Sequence, residues 1–212
     1  MTVPPRPALA VLLRAVIVLC VVAVLVAVEL TSRSGVGWRL TTFTYQANVL
    51  AAVFYAGTLL TRRLDARPGL RGAVVLYLLG AGPVWLVFLI DRSTGFTPAN
   101  VLLHLVVPAL ALADWLLTGR DRPGARWWHP LLWLLYPAGY LALVQLVLDG
   151  APYYFLDVRV LGSTGLVLNV VGLGVGFLVL GLLVVALGPR GQDDRKRSIS
   201  AANGSGSSSI SR

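Results

Sequence analysis

The chain is poor in most of what a water-soluble or redox-active protein needs. Of its 212 residues 13% are charged, one is cysteine, one is methionine and two are histidine. A soluble domain carries charge on roughly 25% of its residues, so no sizeable water-facing domain fits here. A lone cysteine, Cys20, excludes an intrachain disulfide and any cysteine-based metal site. The two histidines, His104 and His129, fall on opposite membrane faces in the reading below and cannot share an ion. Neither a metal nor a cofactor is therefore expected. The net charge of +9 raises the question of a nucleic-acid partner. The arginines, however, are dispersed through short loops between apolar runs, which argues for no nucleic acid.

What the chain has in abundance is hydrocarbon. Hydrophobic residues make up 57% of it, and they are gathered into runs. Six runs are long enough to cross a bilayer as helices: 9–30, 43–60, 73–90, 101–117, 131–148 and 166–187. This spacing predicts an all-α, polytopic bundle of six transmembrane helices occupying residues 1–188. The first run also has a signal-peptide-like core, yet its apolar character extends through Arg14 back to Leu9. No small-x-small pattern precedes Glu29, so it reads as an uncleaved helix.

Loop charge orients the bundle. Thirteen cations lie on one side: Arg6, Arg62, Arg63, Arg67, Arg71, Arg120, Arg122, Arg126, Arg190, Arg195, Lys196, Arg197 and Arg212. Only four, Arg33, Arg39, Arg92 and Arg159, lie on the other. The positive-inside rule then puts both termini in the cytoplasm of a cell-membrane, multi-pass protein. Residues 189–212 change composition to a charged cluster followed by NGSGSSS, which predicts a disordered, basic and Ser-rich cytoplasmic tail. The arginine-over-lysine bias, with abundant Ala, Gly, Leu and Val, is that of a GC-rich bacterial genome.

Against this apolar background the polar residues stand out. His104 is the one histidine within the six runs, and a polar group in hydrocarbon costs several kcal/mol unless it finds a partner. In the six-pass topology Thr44, Asn48, His104, Gln145 and Asn169 fall within about two turns of the outer face. Five polar residues at one depth on four helices point to a site. A hydroxyl beside an imidazole is the minimum unit for nucleophilic acyl transfer.

Taken alone, Thr44 has a structural reading, bonding its own preceding turn, and His104 reads equally well as a satisfied buried residue. Asn100 either fixes the tautomer of His104 or caps the fourth helix. Asn48 either donates to an oxyanion or ties two helices together. Glu29 and Asp91 lie at outer helix ends within possible reach of His104.

At the inner end Arg14 and Asp114 either pair, or Arg14 snorkels while Asp114 meets Arg120 or Arg122. His129, among Trp127, Trp128 and Trp133, reads as interfacial. Gly172, Gly174 and Gly176 read as a close-packing face. The aromatic stretch Tyr153–Val158 is either a lid over the polar site or, as slightly favoured, an interfacial anchor.

Three stretches carry a family resemblance: FTYQANVLAAVFY (43–55), NVLLHLVVPALALADW (100–115) and YYFLDV (153–158). Together they resemble bacterial relatives of the androgen-induced and androgen-dependent membrane hydrolases, mostly uncharacterised integral membrane proteins. The resemblance implies six transmembrane helices across residues 9–187. It also implies hydrolysis of fatty-acyl esters by an intramembrane threonine and histidine, carried here by Thr44 and His104. The aromatic loop belongs to the bacterial branch, so the substrate is not carried over from the animal members.

Three functions are carried forward. The first is a lipid esterase with Thr44 as nucleophile and His104 as base, acting on a fatty-acyl ester at the outer leaflet with Asn48, Asn100, Gln145 and Asn169 in support. The second is a non-catalytic binder of lipid or amphiphile, a sensor or regulator. The third, a transporter using His104, lacks a broken helix pair in matching halves and a polar path to the cytoplasm.

Overall fold

A computed structural model describes residues 7–31, 35–91, 95–118, 124–148 and 152–188. The tail at 189–212 lies outside the described residues, as do Arg6, Arg33, Arg92, Arg120 and Arg122. The described residues form helices and turns and include no strand. In chain order these are α1 (Ala8–Thr31), α2 (Gly35–Leu40), α3 (Phe43–Leu60), α4 (Arg62–Asp65) and α5 (Pro68–Val84), extended by a π turn, Trp85–Leu89. Next come α6 (Pro98–Val101), a second π turn (Leu102–Val106) and α7 (Val107–Thr118). The chain continues through α8 (His129–Trp133), α9 (Leu135–Leu146), a 3₁₀ turn (Tyr154–Leu156) and α10 (Val158–Leu187).

Four of these helical stretches are long and apolar enough to cross a membrane: Ala8–Thr31, Pro68–Leu89, Pro98–Thr118 and Val158–Leu187. Their exposed faces are hydrocarbon. On α1, Leu9, Leu12, Leu19, Val22 and Leu30 face outward, while the buried stripe Ala10, Arg14, Ile17, Val21 and Val24 follows the helical period and includes a charge. An apolar exterior around a charge-bearing interior is the arrangement suited to a lipid solvent.

The remaining two predicted spans are not among these four, for physical reasons. Helix α3 has the expected 18 residues. Its first turns carry Thr44, Tyr45, Gln46 and Asn48, which interrupt its apolar run. The run at 131–148 is broken after Trp133 into α8 and α9. Pro137 has no N–H to give the carbonyl four residues back. That carbonyl, of Trp133, is taken instead by the Tyr77 hydroxyl at 2.9 Å.

Helix α5 is the hub, buried from Arg71 to Gly82 along nearly its whole length. It packs on α3 and α7 to one side and on α8 and α10 to the other, and α1 closes the first group by packing on α3 and α7. It begins at Pro68, earlier than the apolar run, because proline at the first helical position lacks only an N–H that would be unpaired there. Helix α10 likewise begins at Val158, eight residues before the predicted 166, with the Asp157 carboxylate accepting from the Arg159 N–H at 2.8 Å. Gly162, at φ 67°, interrupts its first turns, and the polar 162–165 stretch hid this start from the hydropathy pattern.

One end of the bundle is closed by an ionic cluster. Arg14 Nε lies 3.0 Å from Asp114 Oδ1 and Arg14 Nη1 lies 3.0 Å from Asp65 Oδ1. Arg71 reaches Asp114 Oδ2 at 2.7 Å, bonds the Thr118 hydroxyl, and lies over the Trp115 ring. Of the two expectations the pairing of Arg14 with Asp114 is observed, and Asp65 and Arg71 join it. Arg71, counted above as a loop cation, is 2% exposed and belongs to this cluster.

Candidate active site

The head of α3 presents Thr44 at its second residue, and the π turn between α6 and α7 presents His104. Thr44 Oγ1 lies 3.2 Å from His104 Nε2. The other ring nitrogen, Nδ1, is 3.0 Å from the Asn100 carbonyl oxygen. A carbonyl can only accept, so Nδ1 carries the proton and Nε2 faces the hydroxyl as an acceptor. The Trp85 ring stacks on the imidazole at 4.9 Å and 22°, closing its far face. Both members of the pair are buried, Thr44 at 8% and His104 at 7% exposed.

Proline and glycine explain how the π turn comes to this place. Pro108 cannot donate to the carbonyl of His104, four residues back. That freed carbonyl lies against Gly82 of α5, where an added Cβ would sit 2.7 Å from the oxygen. Asn48 completes the support from α3. Its Nδ2 donates to the Thr44 carbonyl at 2.9 Å and to the Leu103 carbonyl at 3.4 Å, tying α3 to the π turn. Its amide protons are thus committed to backbone, and the oxyanion-donor reading of Asn48 gives way to the helix-tie reading.

The four supporting residues divide. Asn100 acts through its carbonyl, while its side-chain Nδ2 donates to the Gly95 carbonyl at 2.8 Å and its N–H is received by Thr97, the cap of α6. Gln145 and Asn169 do not join the pair. Gln145 Nε2 donates to the Leu156 carbonyl at 2.6 Å, and Asn169 Nδ2 to the Phe155 carbonyl at 2.9 Å. They pin the aromatic loop to α9 and α10. Glu29 is likewise engaged elsewhere, pairing with Arg39 at 2.9 Å.

That loop is folded inward, contrary to the favoured anchor reading: Tyr153, Phe155 and Leu156 are all buried. Under it lies a cavity of about 260 Å³ between α5, α9 and α10. Gly80, Leu141, Val170, Gly174 and Phe177 are among its apolar walls, and Thr44, Tyr140 and Tyr153 bring hydroxyl-bearing side chains to it. The Tyr140 hydroxyl is committed to the Thr41 carbonyl at 2.8 Å. Gly174 lines this space and Gly172 and Gly176 line an adjoining apolar groove, with open space where each Cβ would stand. These three glycines therefore face open space rather than a packed neighbour; the closely packed ones include Gly72, Gly80 and Gly82.

Sequence reasoning missed Tyr153, whose hydroxyl accepts from the Phe43 N–H at 3.1 Å and lies against the Thr44 side chain. Burial, partly offset by these contacts, holds its phenol above the ordinary range, so it keeps its proton. The signal available in sequence was a run of aromatics in a loop otherwise too short to span anything.

Among the described residues no three His, Cys, Asp or Glu side chains gather as metal ligands. The described residues thus form an all-helical fold with several helices apolar and long enough to cross a membrane, and a buried threonine–histidine pair whose threonine lines an apolar cavity. Compared with known proteins, the chain has no significant match to a family model, a curated protein or a solved structure.

Proposed function

We propose that the protein is a membrane-embedded hydrolase of fatty-acyl esters, with Thr44 as nucleophile and His104 as general base and then general acid. The observation that carries this reading is the 3.2 Å Thr44–His104 contact, with Nδ1 held by a carbonyl, beside an apolar cavity. Threonine is a poor nucleophile at neutral pH, and a neutral imidazole aimed at its oxygen supplies the missing base. The cavity takes the acyl chain and leaves the ester carbonyl at the hydroxyl. The resemblance of 43–55 and 100–115 to the androgen-induced and androgen-dependent hydrolases selects the same two residues.

The proposal includes a six-span topology in the cell membrane with both termini cytoplasmic, α3 and the broken α8–α9 pair supplying the second and fifth crossings. The site then lies toward the outer leaflet, and the ionic cluster closes the cytoplasmic side. Cysteines placed one at a time in the connecting loops of a Cys20→Ala background test this by their reactivity toward an impermeant maleimide.

The activity is tested on purified protein in lipid nanodiscs with p-nitrophenyl esters from acetyl to palmitoyl. Wild type is expected to turn over the longer chains, and Thr44→Ala or His104→Ala to lose at least about 100-fold in kcat. Undiminished turnover in either variant rejects the assignment. The cavity also fits a lipid-binding protein without catalysis. Retention of an acyl lipid with no turnover by wild type and no fluorophosphonate labelling at Thr44 would favour that second reading.

A further inference from the structure

Resting on the esterase reading, we infer that Tyr153 is a third catalytic residue, the hydrogen-bond donor to the substrate carbonyl oxygen. A base and a nucleophile leave an ester hydrolase without a group to hold the charge that develops on that oxygen. The side-chain amide of Asn48 is spent on two backbone carbonyls, and the Tyr140 hydroxyl is spent on another. Tyr153 differs from both, because its hydroxyl accepts from the Phe43 N–H and its own proton faces only the Thr44, Thr42 and Tyr140 hydroxyls, none of them a backbone carbonyl, so a substrate carbonyl can take it.

Its placement suits the role. The hydroxyl stands at the N-terminus of α3 against the Thr44 side chain, and both residues line the cavity. The Thr42 side chain makes no cap bond to α3, so Tyr153 meets the helix end from another part of the chain. Accepting from an amide at the positive end of an 18-residue helix polarises the phenol and strengthens it as a donor. The loop that carries it is fixed two and three residues on, at the Phe155 and Leu156 carbonyls, by Asn169 and Gln145, and its ring stacks on Phe155 at 5.1 Å. The two polar residues assigned to the site from their depth thus serve it indirectly, by holding Tyr153.

The step balances as follows. The Thr44 Oγ1–carbonyl carbon bond forms while the Thr44 proton passes to His104 Nε2. The carbonyl π pair moves onto oxygen, which takes the Tyr153 hydrogen bond. Collapse of that adduct breaks the bond to the alcohol, which leaves with the proton from His104. Water then repeats the sequence on the acyl-threonine and releases the fatty acid.

The test is Tyr153→Phe, which keeps the ring and removes only the hydroxyl, assayed on p-nitrophenyl decanoate in nanodiscs. Rates are normalised to sites labelled by a fluorophosphonate, which removes any unfolded fraction from the comparison. The expected result is a fall of about 100-fold in kcat with KM within about threefold. A decyl trifluoromethyl ketone, which forms an oxyanionic adduct with a hydroxyl, should weaken by a similar factor, while decanol should bind unchanged. A purely structural cap would instead lower the melting temperature and leave the normalised kcat and the ketone affinity as they were; that result overturns the inference and leaves the Thr44–His104 pair standing. Absence of turnover in wild type overturns both.

Discussion

At the residue scale the site depends on small backbone facts more than on the reactive side chains. Gly82 is the sharpest case, because a methyl group there would meet a backbone oxygen of His104 at 2.7 Å that cannot swing aside. Gly82→Ala should force α5 and the π turn apart, costing about 1–3 kcal/mol. It should also lengthen the Thr44–His104 contact, so turnover per folded molecule should fall along with the melting temperature. A variant that melts and reacts like wild type would show that the close approach is not needed. This dependence explains what could be read from the sequence here. Thr44 and His104 were legible because a hydroxyl and an imidazole in hydrocarbon are conspicuous, and their shared depth follows from helical rise alone. The partner of Nδ1 was not legible, because it is the main-chain carbonyl of Asn100 and any residue would supply one. Asn48 was seen but its two roles could not be separated without knowing where its amide protons go.

At the scale of elements the departures from a simple hydropathy reading all occur at proline or glycine. Pro137 breaks the fifth run, Pro108 frees the carbonyl that meets Gly82, and Gly162 bends the start of α10. Apolar periodicity located the helices, but it carries no information on whether a small residue packs or leaves space. Gly174 illustrates this. Its spacing from Gly172 and Gly176 reads as a packing surface, whereas its face is open and lines the cavity. Gly174→Leu should therefore fill the cavity without displacing a neighbouring backbone. The expected effect is on substrate length: palmitoyl ester turnover should fall roughly tenfold or more while short esters are hydrolysed as by wild type, since lost burial of about 0.8 kcal/mol per methylene accumulates along the chain. An equal loss across all lengths would mean that the acyl chain lies elsewhere.

For the whole molecule the question is how two polar regions coexist in one apolar bundle. One end holds the Thr44–His104 pair, and the other holds Arg14, Asp65, Arg71 and Asp114, formally neutral as two cations against two anions. Asp114 is the hinge of that cluster, fully buried and bonded by both arginines. Asp114→Asn would leave Asp65 as the one carboxylate in a cluster with two buried guanidinium groups, which costs about 3–5 kcal/mol where a buried pair loses one partner. Yet Asp114 lies ten residues beyond His104 along a helix, about 15 Å at its usual rise. With no shared partner between the clusters, stability and catalysis should separate. The expected outcome is a melting temperature lowered by several degrees in detergent, with kcat of the labelled, folded fraction within about twofold of wild type. A large loss of kcat in folded Asp114→Asn would instead reveal coupling between the two ends, as a relay of protons through the bundle requires and a hydrolase with a closed inner end does not.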